Sequence, residues 1–141
     1  MKIAYLIARN LLGLIFLVFG LNGFFHFLPQ PPPPPEGMKF LSALGASHFM
    51  VPVFLLQTLG GTLLLANRFV PIALVLLGPV VVSILLYHTL LDPKGIPPGL
   101  VVLILWGIVF YGVRSAFAGV FAMQTPGPEA GRAGNFIAVG D

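Results

Sequence analysis

The chain has 141 residues, of which 57% are hydrophobic and 8% charged, whereas a soluble domain carries about a quarter charged residues. This composition excludes a protein whose main solvent is water. Its basic residues, scattered at the ends of apolar segments, give a net charge of +3 without forming a cluster that could neutralise a row of phosphates, which argues against nucleic-acid binding. The absence of cysteine excludes disulfides, thiolate metal sites, iron–sulfur clusters and covalently attached haem.

Long apolar runs predict four membrane-spanning helices, because about 20 apolar residues cross a bilayer and only helices leave no backbone amide unpaired in lipid. Short connections between the later runs predict antiparallel hairpins. The expected fold is an all-α membrane protein, an antiparallel bundle of four transmembrane helices within residues 1–121. The predicted spans cover residues 4–27, 49–66, 70–91 and 98–121.

Two segments fall outside these spans. Residues 28–48 form a Pro-rich outer loop, in which the prolines at 31–35 predict a stiff polyproline II spacer and residues 38–46 a weakly amphipathic stretch near the membrane surface. Residues 122–141 are rich in Gly, Pro and Ala, which predicts an extended tail that cannot order itself by its own packing.

The basic residues fall on two sides of the predicted bundle. The side with more of them is expected to be cytoplasmic, which places both termini in the cytoplasm and the chain in a bacterial cytoplasmic membrane. On this side, Arg9 and Arg114 are expected to extend to the lipid headgroups. The cytoplasmic set is Lys2, Arg9, Arg68, Arg114 and Arg132, and the outer set is Lys39 and Lys94.

The few polar residues of the spans indicate a candidate site near the outer face, where the topology places His26, His48 and His88. Ionisable groups inside a membrane are costly and are functional hypotheses by default. Helical spacing puts His88 on one face with Asp92, an arrangement that can fix the tautomer of a histidine at a metal or proton-transfer site. The candidate cofactor, quinone or proton site comprises Asn22, His26, Gln57, His88 and Asp92.

Such a site would suit a quinone headgroup, a haem or chlorophyll metal, or a divalent ion, and the cofactor stays open. The alternative is that the histidines are interfacial residues of an aromatic belt and that Asn22, Gln57 and Ser83 make interhelical hydrogen bonds. No Ser-His-Asp triad or paired-carboxylate site can be assembled from the pattern, and no catalytic residue or metal ligand is assigned. The glycines Gly20, Gly23, Gly60 and Gly61 predict close helix packing.

Two runs carry a family resemblance: ARNLLGLIFLVFGLNGFFHFLP at 8–29 and QTLGGTLLLANRFVPIALVLLGPVVVSILLYH at 57–88. Together with the proline-led fourth span, they resemble the DoxX family of small four-helix membrane proteins over roughly residues 8–111. The resemblance implies a link to membrane redox assemblies, such as the small subunit of a thiosulfate:quinone oxidoreductase. Its landmarks here are Asn22, His26, Gln57 and His88. Many relatives have Glu where Gln57 stands and Asn where Ser83 stands. Since Gln57 lacks the carboxylate of that Glu, this chain lacks a proton carrier, which argues against catalysis by this chain alone.

Three functions are therefore considered. The first is a DoxX-like accessory subunit of a larger respiratory or photosynthetic membrane complex, which it contacts through its apolar spans, its Pro-rich loop and its tail. The second is a quinone-linked oxidoreductase component that binds quinone or haem near the outer face and uses His26, His88 and Asp92. The third, a small carrier, is disfavoured because the spans hold too few charges for a continuous ion path.

Overall fold

The computed structural model describes residues 1–124 and residue 127, and within them it contains helices and no strands. The expectation of an all-helical fold is confirmed for this part of the chain. Short 3₁₀ turns at Pro93–Gly95 and Arg114–Phe117 flank the last helix. The helices are α1 (Lys2–Phe25), α2 (Pro35–Ala46), α3 (Met50–Leu65), α4 (Val70–Leu90) and α5 (Ile96–Val113).

Several of these helices are suited to a bilayer. Within the described residues, α1, α4 and the stretch Pro93–Phe117 around α5 are each long and apolar enough to cross a membrane. The pair α2 and α3 meets the same criterion only when taken together, and it is bent by 89°. The described chain thus has three candidate spans, or four if the bent pair is one span, which is typical of a multi-pass membrane protein.

The Pro-rich loop contains a helix of its own. Pro34 has the φ of −56° and ψ of 158° of polyproline II, and the next residue, Pro35, begins α2. Proline suits a first helical turn because the amide it lacks would have no partner there. Glu36 follows in the same turn, where the helix dipole favours a carboxylate. The helix therefore starts earlier than the amphipathic stretch expected at 38–46.

Two helix ends also differ from the predicted spans. The first helix stops at Phe25, because His26 adopts a left-handed conformation with a φ of 52°. The last helix, α5, ends at Val113 rather than at residue 121, and a 3₁₀ turn follows it. At this end, the Nη1 of Arg114 donates a hydrogen bond to the carbonyl of Tyr111 at 2.7 Å. Most of the predicted tail lies outside the described residues.

The tightest packing is between α1 and α3, which run antiparallel. A Cβ added to Gly61 would lie 2.5 Å from the amide nitrogen of Leu17 and 2.7 Å from the carbonyl oxygen of Gly13, so the two backbones are almost in contact. Gly20 lies against Thr58 in the same way. Each glycine expected at a helix contact faces a neighbouring helix: Gly20, Gly23 and Gly61 at the α1–α3 contact, and Gly60 against Leu77 of α4.

The fifth helix packs against both α4 and α1. The indole nitrogen of Trp106 donates to the carbonyl of Leu74 in α4 at 3.1 Å, and the ring of Tyr5 in α1 rests directly on Gly112. The start of α1 and the end of α5 therefore lie at one end of the bundle. Between the helices, the fully buried side chains are Leu12, Phe16, Leu64, Leu74, Leu77 and Val109.

Candidate functional site

An apolar pocket of about 410 Å³ lies between α2, α3 and α4. It exists because the bend after α2 places that short helix against the last turns of α4. The contact is direct: the rings of Phe40 and Tyr87 are 6.1 Å apart, and the Tyr87 hydroxyl touches the position a Cβ would take on Gly37. The apolar lining includes Phe40, Leu41, Leu44, Met50, Val53 and Ile84.

One buried polar side chain lines this pocket from α3. Gln57 is only 9% exposed and belongs to the lining. Within the described chain its carboxamide has no hydrogen-bond partner. Its amide atoms are not among the fully enclosed unpaired atoms of the described residues, so the amide keeps some accessible surface and, as part of the lining, can hydrogen-bond a molecule in the pocket.

A second polar group of the lining is the hydroxyl of Tyr87. Its oxygen is enclosed and has no hydrogen-bond partner among the described residues. The ring contacts both Phe40 and His88, with 5.1 Å between the Tyr87 and His88 ring centres. The hydroxyl is therefore a rigidly held O–H without a partner.

His88 and Asp92 are brought together at the end of α4, as their spacing predicted. The Nδ1 of His88 lies 3.2 Å from the carbonyl oxygen of Asp92 and 3.8 Å from its carboxylate oxygen. If Nδ1 carries the proton and donates it to this carbonyl, Nε2 is left as an acceptor. Ser83 also lines the pocket, but its hydroxyl already donates to the carbonyl of Pro79 at 2.9 Å.

Asn22 and His26 do not join this group. Asn22 is buried, and its side-chain oxygen accepts a hydrogen bond from the backbone amide of Leu28 at 2.7 Å, which fixes the chain as it leaves α1. His26 is exposed at that helix end, and His48 is exposed in the turn before α3. Neither histidine lines the pocket, so only His88 of the three contributes to it.

The residues present suit some of the expected cofactors better than others. A haem held by two of the three histidines is not provided for, since His26 and His48 lie outside the pocket. The described residues also contain no group of three or more His, Cys, Asp or Glu that could hold a metal ion. The amide of Gln57 is instead a donor beside the aromatic rings of Phe40 and Tyr87, which suits a flat headgroup bearing carbonyl oxygens.

Sequence reasoning overlooked two parts of the molecule. The first is the α2 wall with Tyr87; the apolar spacing of Phe40, Leu41 and Leu44 was the available signal. The second is Arg9, for which the expected reach to the headgroups is wrong. It is 6% exposed, and its Nε and Nη1 are enclosed without a partner in the described part of the chain.

The interpretation of the pocket depends on this geometry. The features that support it are the bend that forms the pocket, the amide of Gln57 in its lining and His88 as the single histidine of that lining. Comparison with known proteins adds no relative, because no family model, curated protein or solved structure matches the chain.

Proposed function

We propose that this chain is a membrane-embedded binding subunit that holds a quinone-class molecule in the pocket between α2, α3 and α4. It would do so as a DoxX-like accessory component of a larger redox or energy-converting complex. The observation that carries the proposal is Gln57, a buried amide without a described partner that lines an apolar pocket. The DoxX-like character is supported by the sequence runs at 8–29 and 57–88.

The chemistry of the pocket matches such a ligand. A quinone has a flat ring with two hydrogen-bond-accepting carbonyls and carries a long apolar tail. The side-chain NH₂ of Gln57 is a donor for one carbonyl, and the rings of Phe40 and Tyr87 give the headgroup aromatic walls. The edge of the pocket is formed by Phe49, Leu86 and Leu90, which are 62%, 54% and 75% exposed; in a bilayer these side chains would face lipid, from which an apolar tail could enter.

The proposed role is binding, and the chain is not expected to be catalytic alone. Reducing or oxidising a quinone requires two electrons and two protons. The amide of Gln57 is not an acid–base group, and beside the pocket the described residues place one imidazole, His88, with the carboxylate of Asp92 3.8 Å from its Nδ1. The electrons would have to come from a partner protein, which is why we propose an accessory subunit.

We further propose four membrane crossings with both termini in the cytoplasm of a bacterium. The start of α1 and the end of α5 meet at one end of the bundle, which requires an even number of crossings. Since α1, α4 and α5 supply three, α3 supplies the fourth. The end carrying Lys2, Arg68 and Arg114 would be cytoplasmic by the positive-inside rule, and the pocket would then lie toward the outer face.

Ligand binding can be tested with a matched pair of probes. The chain, purified in a mild detergent, is titrated with a decyl-substituted benzoquinone and, separately, with decylbenzene, which has the same tail and no carbonyls. We expect only the quinone to raise the thermal unfolding temperature with a saturable concentration dependence. Equal shifts with both probes would show that the pocket accepts any apolar chain, and would refute a quinone-specific site.

The accessory role needs a different measurement. The tagged chain is extracted from its native membrane in a mild detergent, and co-purifying subunits are identified by mass spectrometry while an absorption spectrum is recorded. We expect a defined set of membrane redox subunits. Recovery of the chain alone would refute the accessory role, and the quinone titration would still decide the function of the pocket.

A further inference from the structure

A second groove lies at the opposite end of the bundle from the quinone pocket. It runs between the first turns of α1 and the end of α5 and has a volume of about 540 Å³. Both cationic and apolar side chains line it, unlike the pocket between α2, α3 and α4. We call it the basic groove, and it is lined by Lys2, Tyr5, Leu6, Ile108, Tyr111 and Arg114.

The surroundings of the basic groove carry positive charge that no described carboxylate neutralises. Lys2 and Arg114 line the groove, and the guanidinium carbon of Arg9 lies 6.0 Å from the ring of Tyr5. The acidic residues of the described part are Glu36, which pairs with Lys39 at 3.0 Å, and Asp92, which lies beside His88. Both belong to the opposite end of the bundle, so an anion from outside the described chain would be attracted here.

The groove is also pre-formed. The Nη1 of Arg114 donates to the carbonyl of Tyr111 at 2.7 Å, and its guanidinium carbon lies 3.9 Å from the centre of the Tyr111 ring. This contact holds the guanidinium on the aromatic face and leaves its other N–H groups free of partners among the described residues. On the opposite wall, Tyr5 is fixed by its contact with Gly112. Little side-chain ordering is therefore needed for binding.

Polar and apolar side chains are separated along the groove. Leu6 lies one helical turn further into the bundle than Lys2, about 6 Å at 1.5 Å per residue, and Ile108 lies about 9 Å deeper than Arg114. The cations are thus at the mouth and the apolar walls lie toward the bilayer interior. A free phosphate ion would use only the mouth, whereas a phospholipid would use both parts.

We propose that the basic groove binds an anionic phospholipid, whose phosphate pairs with Lys2 and Arg114 and whose acyl chain lies along Leu6 and Ile108. Basic pockets between membrane helices are suited to anionic headgroups, and arginine offers phosphate a planar fork of donors. The site is separate from the quinone pocket and does not depend on its function.

Native mass spectrometry of the full chain in detergent can test this proposal, with phosphatidylglycerol and phosphatidylcholine of the same acyl composition as probes. The double variant Lys2→Gln/Arg114→Gln removes both cations of the groove. The matched control Lys39→Gln/Lys94→Gln removes the same charge from the other end. We expect phosphatidylglycerol to bind the unmodified chain more tightly than phosphatidylcholine does. The groove variant should bind phosphatidylglycerol about thirtyfold more weakly, at about 1 kcal/mol per basic residue, and the control should be unchanged.

Three results would overturn the proposal. The groove variant could keep its affinity for phosphatidylglycerol. Both double variants could lose affinity equally, which would indicate non-specific charge attraction. Inorganic phosphate could bind the groove as tightly as the lipid does, which would show that the apolar walls contribute nothing. Both side chains are exposed, so the fold should tolerate their replacement. Should the double variant nevertheless fail to fold, the single variants Lys2→Gln and Arg114→Gln are each expected to weaken binding about fivefold.

Discussion

At the scale of single residues, Gln57 is a position where stability and binding should change in opposite directions. Leucine is of similar size and leaves no amide unpaired in the pocket, so Gln57→Leu should leave the free energy of unfolding unchanged or raise it. The same change removes a donor and should weaken binding of the decyl-benzoquinone about fivefold to tenfold, at about 1 kcal/mol per hydrogen bond. Thermal unfolding and ligand titration of the same sample measure the two effects.

Ser83→Ala is the matched control for this prediction. Ser83 lines the same pocket, but its hydroxyl is already used by the carbonyl of Pro79, so its loss should leave quinone affinity within twofold of the original, less than the cost of one hydrogen bond. Equal losses in the two variants would mean that Gln57 affects the ligand only by shaping the pocket, and the assignment of its amide as a donor would be wrong.

Arg9 leads to a prediction about stability alone. Its Nε and Nη1 are enclosed without a partner in the described chain, and removing a charge from water without pairing it costs several kcal/mol, about the same order as the whole stability of many domains. Arg9→Met should therefore raise the free energy of unfolding, measured by denaturation in detergent. Arg68→Met, at an exposed loop position, should not. A destabilised Arg9→Met would instead reveal an anionic partner beyond the described residues.

The sequence indicates some of these roles because a polar residue within an apolar run is conspicuous. Gln57 and His88 were recognised in this way, and both line the pocket. Asn22 was recognised by the same signal, yet its partner is the amide of Leu28, which depends on where the chain turns after α1. Tyr87 was overlooked because a tyrosine near a span end is commonly interfacial; only its contact with α2 encloses it.

At the scale of elements, the contact between α1 and α3 should tolerate no added side chain at Gly61. Its Cβ would meet backbone atoms of Leu17 and Gly13, which cannot rotate away, so Gly61→Ala should destabilise by about 1–3 kcal/mol. Gly107→Ala is the control, because nothing lies within 4 Å of the Cβ it would add; helix propensity predicts a gain of up to about 1 kcal/mol. Thermal unfolding of both variants distinguishes a packed glycine from an unconstrained one.

The helices differ in how far the sequence determines them. Long apolar runs account for α1, α4 and α5, because a single segment in lipid can pair its backbone amides only by forming a helix. The sequence predicts a weakly amphipathic stretch at 38–46 but neither the start of α2 at Pro35 nor its 89° bend from α3, which arises in a turn where His48 has a φ of 58°. Because the pocket is a product of that bend, the apolar spacing within α2 could indicate a buried helix face but not that this face packs against α4.

At the scale of the whole molecule, the number of crossings depends on α3. This helix has 16 residues and measures about 24 Å, short of the ~30 Å hydrocarbon core of a bilayer. Yet it packs along α1 from Gly61 at one end to Phe54 near the other, and a shorter helix can be accommodated by local thinning of the bilayer at modest cost. A fourth crossing by α3 is therefore physically reasonable.

Because the chain has no cysteine, single cysteines can report the side of the membrane on which each end of α3 lies. Ser47→Cys and Ala66→Cys flank α3 at exposed positions. If α3 crosses, a membrane-impermeant maleimide applied to intact cells should label Ser47→Cys and leave Ala66→Cys unlabelled until the membrane is opened. Ser115→Cys, near the end of α5, should behave like Ala66→Cys because both belong to the basic end. Labelling of both flanking positions from the same side would refute the fourth crossing, and with it the cytoplasmic location of both termini.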